Sequence, residues 1–260
     1  MKFFSEMSRR MSEKRAYRAS RKAKKLSNRT EYVISEDTPV NITEAFRSIK
    51  ATLSVSVPQK EGGKAIVVTS GYPYVGKTTI ATNLALMFAL SDMKVIIIDA
   101  DMHRGRVAKF FHEKSENGLS DYLSGQASYE SVVRTSPADK NLSYISCGTH
   151  SLRPYELLES DVMKDLMARL RKEYDYIIVD TPPVLILSDA LAVAPYTDGA
   201  IIVVRHEMSY LRDIERELDL LKFAKVNVLG AVINDYKDTR KQKEYGGYSY
   251  YYDTIEKGKK

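Results

Sequence analysis

The chain has 260 residues, 43% of them apolar, enough for one sizeable α/β domain with its own core. A single cysteine, Cys147, excludes a disulfide framework and a cysteine-based zinc site. The net charge of +6 is unevenly placed: residues 1–30 hold eleven Lys/Arg against two acids, so the remainder is net acidic. That placement argues against a nucleic-acid partner for the body of the protein.

Residues 1–30 read as a basic, flexible N-terminal extension. Phe3, Phe4, Met7 and Met11 fall at helical spacing. An amphipathic helix on an anionic membrane surface fits them, with a solvated tail as the alternative. No apolar run approaches the roughly 20 residues of a membrane span, and no signal peptide follows Met1. The expected location is therefore cytoplasmic. A folded domain is expected over 31–238 and a tyrosine-rich tail over 239–260.

Within the domain, 43–56 has a helical pattern with Thr43 as N-cap and Glu44 in the first turn. Residues 58–63 read as a turn. Strand-like apolar runs follow at 65–69, 95–98, 142–146, 176–179, 200–204 and 228–233. Helical patterns alternate with them near 78–91, 118–124, 128–134, 155–172, 188–195 and 209–224. Short buried strands between helices predict a mostly parallel central sheet covered on both faces.

Gly71-Tyr72-Pro73-Tyr74-Val75-Gly76-Lys77-Thr78 lies between the first apolar strand and a helix. Glycine, four residues, then Gly-Lys-Thr in that context is a phosphate-binding loop. Its backbone N–H groups and the helix start, with Thr79, present positive potential to an anion. Lys77 is expected on the β- and γ-phosphates and the Thr78 hydroxyl on Mg²⁺. Two strands end in acids: Val95–Ile98 in Asp99-Ala100-Asp101, and Tyr176–Val179 in Asp180. Side chains two apart on a strand share a side, so Asp99 and Asp101 are placed to face one crevice at the carboxyl end of the sheet. Asp180 has the Walker B layout and is expected to hold Mg²⁺ with Thr78 and Asp101. The four histidines, 103, 112, 150 and 206, show no metal spacing.

Together these motifs resemble the bacterial tyrosine kinases, over about residues 40–252. Asp99-Ala100-Asp101-Met102-His103-Arg104 resembles that family's A′ motif, and Asp180-Thr181-Pro182-Pro183 its Walker B strand. Pro154–Ser160 is similar to a family helix start, and Gly230–Asn234 to a late family strand. The chain looks most like the stand-alone Gram-positive capsule or exopolysaccharide kinases. The resemblance implies a MinD/ParA-like P-loop NTPase fold and a tyrosine kinase that uses ATP and Mg²⁺. It implies Lys77, Asp99 and Asp101 as catalytic residues, with Asp99 nearer the reacting centre. Asn234 or Arg205 is assigned to adenine from position alone. Five tyrosines in eight residues, Tyr245, Tyr248, Tyr250, Tyr251 and Tyr252, resemble the family's autophosphorylated cluster. Glu44, Arg47 and Lys50 resemble its oligomerisation motif, which implies a ring in which one subunit's tail enters the next subunit's site. Phosphorylation of the tail would add about −1.5 to −2 charge per tyrosine and loosen that ring or repel the tail from the site.

The implied partners are a membrane-embedded polysaccharide co-polymerase whose cytoplasmic segment activates the kinase, a cognate tyrosine phosphatase, and other copies of the chain. The alternatives are a partitioning-type ATPase and a non-catalytic nucleotide-sensing adaptor. Tyr72 stands where those ATPases carry a second lysine, which favours the kinase. Three positions depart from the family pattern. Tyr74 replaces a common glycine, Lys50 an arginine, and His103 an arginine. A Tyr74 backbone at positive φ would cost on the order of 1 kcal/mol.

Overall fold

Runs of Ile and Val too short for helices form the centre of the molecule, because branched side chains suit a pleated surface buried on both sides. The computed structural model describes residues 32–58 and 60–236. The basic extension 1–30 and the tail tyrosines Tyr245, Tyr248, Tyr250, Tyr251 and Tyr252 lie outside the described residues.

Seven strands make one sheet: β1 (Lys64–Thr69), β2 (Val95–Asp99), β3 (Arg134–Thr135), β4 (Leu142–Ile145), β5 (Tyr176–Asp180), β6 (Gly199–Arg205) and β7 (Val228–Asn234). Their order is β3-β4-β2-β5-β1-β6-β7. All pairings are parallel except the short antiparallel β3–β4 edge, which the sequence reading did not include. The six longer strands match the six expected runs, and the fold is the α/β P-loop type that was expected.

The core follows the period of two. Ile66, Val68, Val95, Ile97 and Ile178 pack on one face with α1 (Val40–Ser56) and α2 (Lys77–Ala89). Ala65, Val67, Ile96, Ile98, Ile177 and Val179 pack on the other face. There they meet α4 (Leu119–Leu123), α6 (Pro154–Glu159) and α7 (Asp161–Glu173). Phe88 of α2 stacks on Tyr176 with ring centroids 3.9 Å apart, tying the helix to β5. The remaining helices are α3 (Val107–Phe110), α5 (Tyr129–Val132), α8 (Asp189–Val193) and α9 (Leu211–Phe223).

Three helices differ from their sequence patterns. Helix α1 begins at Val40 with Pro39 at its N-cap, so Thr43 lies inside the helix and does not cap it. The helix expected over 155–172 is broken at Ser160, whose backbone is extended at φ −67° and ψ 156°. Its Oγ accepts the Met163 N–H at 3.2 Å, so Ser160 ends α6 and N-caps α7. The apolar period survives the break because Leu158 and Met163 still face the same core. The helix expected over 188–195 is a five-residue α8 closed by a 3₁₀ turn at Ala194–Tyr196 with a proline in it.

At the amino ends of β1 and β6, buried Asp198 accepts hydrogen bonds from the Ala65 N–H at 2.8 Å, Arg171 at 2.8 Å and Lys60 at 3.1 Å. This network closes the pole opposite the site. Among the described residues, no helix is long and apolar enough to cross a membrane.

Candidate active site

The phosphate loop runs from the end of β1 into α2. Gly76 has φ 94°, and a Cβ there would lie 2.0 Å from Asn234 Nδ2, so glycine is required on both counts. Tyr74 has φ 67°, the left-handed conformation that makes its side chain costly. Val75 is buried in the core and anchors the loop between these residues. Tyr72 is fixed through its carbonyl, which accepts the Ser70 hydroxyl at 3.0 Å. Pro73, Thr78 and Thr79 are half-buried, and the Thr79 carbonyl accepts the Asn83 side-chain amide at 2.9 Å.

Lys77, at the first position of α2, is buried and folded back: its Nζ lies 2.6 Å from Asp180 Oδ1. Asp180 is fully buried. Burial pushes its carboxyl above the usual range, against the pull of Lys77 and the Thr78 hydroxyl. Strand register sets Asp99 directly opposite Asp180 across β2 and β5. Asp99 is also fully buried; burial first, and then the Asp180 charge, push it up to about 8. Its oxygens accept backbone N–H groups of Val107 at 2.9 Å and Asp101 at 3.3 Å. Asp101 is only half-buried, and its carboxylate accepts the Arg104 N–H at 3.0 Å. The two acids on one strand end thus differ in environment, one dry and one wet.

For Mg²⁺ the residues present fit. Asp180 Oδ2 is buried with no hydrogen-bond partner among the described residues, the Thr78 hydroxyl acts on the same carboxylate, and Asp101 opens to solvent. One or two carboxylates with a hydroxyl and phosphate oxygens suit this hard cation.

Asn234, at the end of β7, donates its amide to the Val75 carbonyl at 2.8 Å, so it braces the loop. Arg205, at the end of β6, donates to the Tyr74 carbonyl at 2.9 Å and pairs with Asp235 at 3.0 Å. His103 turns away from the loop to Asp189, Nε2 to Oδ2 3.1 Å. The expected oligomerisation residues lie apart, on exposed turns of α1. Arg47 pairs with Glu44, and the Lys50 ammonium donates to Ser91 Oγ.

Sequence reasoning missed the buried acids on α9. Asp213 and Glu217 are 3% and 2% exposed, and each keeps one oxygen without a partner among the described residues. Glu217 lies against the first loop glycine, where a Cβ on Gly71 would meet its Oε1 at 1.8 Å. Burial, and then Asp213, push Glu217 up to about 8, while the Gly71 N–H lowers it. The available signal was two acids at the spacing of Leu221, the buried face of the helix.

The AAA domain family model (AAA_31) matches residues 63–227. The tyrosine-protein kinase ptk of Acinetobacter johnsonii is 35% identical over 192 residues, 74% of this chain. The chain spans only 26% of that protein's length. The solved kinase domain of Escherichia coli tyrosine kinase ETK superposes with a TM-score of 0.74 at 31% identity, covering 84% of this chain and 86% of that one. The tyrosine-protein kinase YwqD of Bacillus subtilis (strain 168) is 32% identical over 206 residues, 79% of this chain and 86% of its own length. A relative matched over nearly its whole length, and a solved kinase domain on the same sheet, place the chain in the bacterial tyrosine-protein kinase family.

Proposed function

We propose that the chain is an ATP- and Mg²⁺-dependent protein-tyrosine kinase. It phosphorylates Tyr245, Tyr248, Tyr250, Tyr251 and Tyr252 of its own tail and so regulates capsular or exopolysaccharide biosynthesis and export. The observation that carries this reading is the convergence of Lys77, Asp99 and Asp180 in one buried crevice, with Thr78 and Asp101 at its rim.

The loop amides bind the phosphates. Lys77 exchanges Asp180 for the β- and γ-phosphates when nucleotide enters, a short swing because both positions flank the start of α2. Thr78, Asp101 and Asp180 would hold Mg²⁺, which would supply positive charge to offset that of the phosphates. A tyrosine hydroxyl titrates near 10, so its proton needs an acceptor. Asp99 or Asp101 takes it, and the family resemblance favours Asp99 as the acid nearer the reacting centre.

The tail acts between copies in a ring assembled through Glu44, Arg47 and Lys50. The cytoplasmic segment of a membrane-embedded polysaccharide co-polymerase stimulates the reaction, and a cognate phosphatase reverses it. Residues 1–30 hold the chain to the anionic inner face of the plasma membrane.

The test is incubation of the full chain with Mg-ATP and the activator's cytoplasmic segment, read with an anti-phosphotyrosine antibody. Signal is expected from the native chain and is expected to vanish in Lys77→Met and in the five-fold tail Tyr→Phe variant. Signal that persists in Lys77→Met, or is absent from the native chain, overturns the reading.

A further inference from the structure

Several cations stand at the mouth of the phosphate loop, and their partners differ in kind. The Lys77 ammonium is paired with Asp180 and the Arg205 guanidinium with Asp235. Arg104, in the loop after Asp101, is held by a neutral group. Its Nη1 donates to the Tyr74 hydroxyl at 3.0 Å, and its Cζ lies 5.8 Å from the centroid of the same ring. Among the described residues no carboxylate side chain pairs with this guanidinium, and Arg104 is exposed. Its charge is therefore available to an incoming anion.

Tyr74 is held at both ends in a backbone conformation that disfavours any side chain. Its φ is 67°, its carbonyl accepts from Arg205, and its hydroxyl accepts from Arg104. Such strain persists only where the surroundings over-determine it, and it concentrates at working sites. A glycine would adopt this φ freely, but would supply neither ring nor hydroxyl. The neighbouring basic residue does not compete for the place, because His103 is turned toward Asp189 at the start of α8.

We infer that Tyr74 is a positioning residue that holds the Arg104 guanidinium over the phosphate loop, where it reads the terminal phosphate of a nucleoside triphosphate. A guanidinium presents paired donors that match phosphate oxygens, which a lysine does not reproduce. Lys77 marks the β,γ end of the site, and Tyr74 belongs to the same loop. The inference deepens the kinase reading and rests on its nucleotide site, but concerns binding rather than transfer.

The test is equilibrium binding of Mg-ATP and Mg-ADP to the full chain, by displacement of a fluorescent nucleotide. Arg104→Ala is expected to weaken ATP about tenfold, as for loss of a hydrogen bond between charged groups, and ADP by much less. Tyr74→Gly should reproduce that loss of discrimination, and Tyr74→Phe, which keeps the ring, should fall between. Arg104→Lys should restore less than half of the lost discrimination. The double variant Tyr74→Gly with Arg104→Ala should be no worse than Arg104→Ala alone. Equal weakening of ATP and ADP, or additive losses in the double variant, overturns the inference and leaves the kinase reading intact. A native chain that binds neither nucleotide overturns both.

Discussion

At the scale of single residues, the site is organised by the choice of which charges are kept dry. Asp99 and Asp180 are fully buried side by side, and Lys77 holds only one of them. Removing the ammonium leaves an uncompensated buried pair. Lys77→Met is therefore expected to change stability as well as activity, and thermal melting should show it. Glu217 offers a second measurement, because its buried carboxyl lies against the loop at Gly71. Its folded value is raised to about 8 from the ordinary 4.5. The folded state then holds a proton that the unfolded state releases, so stability falls as pH rises from about 4.5 to about 8. Glu217→Gln removes this dependence while keeping the shape. Denaturation midpoints of the variant between pH 5 and 8 should be flatter than those of the native chain. Gly71→Ala, by contrast, drives a methyl into Glu217 and should weaken nucleotide binding.

At the scale of elements, local signals and packing agreed in most places. Strands β1, β2, β5 and β6 were legible because each carries an unbroken apolar run rich in Ile and Val and ends in a polar or charged residue, whereas the two-residue β3 carries no such run. Helix α2 was legible from the loop that opens it. The break at Ser160 was not, since Leu158, Met163, Leu166 and Leu170 keep one apolar face through it. At the break the Ser160 hydroxyl accepts the Met163 N–H and donates to the Leu157 carbonyl, capping both helix ends around an extended backbone. Ser160→Ala removes that cap and is expected to cost about 1 kcal/mol, measured by chemical denaturation. Ser160→Asp should restore most of it. Helix α1 carries the Glu44–Arg47 pair on its exposed side, and a surface pair contributes little to the fold of one chain. Arg47→Ala should thus leave the melting temperature of dilute protein within about 1 °C. Light scattering at higher concentration should show loss of the proposed ring. A ring that survives Glu44→Ala with Arg47→Ala removes the assembly role from this helix.

At the scale of the whole molecule, the sheet has two polar ends with different tasks. The carboxyl ends of β1, β2, β5, β6 and β7 supply the loop, the acids, Arg205 and Asn234. The opposite end is closed by Asp198, which Arg171, Lys60 and the Ala65 N–H satisfy. Arg171 and Lys60 both reach solvent, so losing the Asp198 carboxylate chiefly strands the Ala65 N–H and costs about 1–3 kcal/mol. Asp198→Ala should lower stability by that order in urea titration, while ATP affinity of the folded fraction stays unchanged. The sequence by itself determined the phosphate loop, the acid-terminated strands and the alternation that makes a parallel sheet. Those features are contiguous, and their spacing follows from chain geometry alone. Only the tertiary structure decided that Asp99 sits opposite Asp180, that Lys77 rests on Asp180, and that Arg205 and Asn234 brace the loop. It alone set Arg104 upon Tyr74 and Glu217 against Gly71. Each of those contacts joins residues far apart in the chain, and strand order and register, which no local pattern encodes, bring them together.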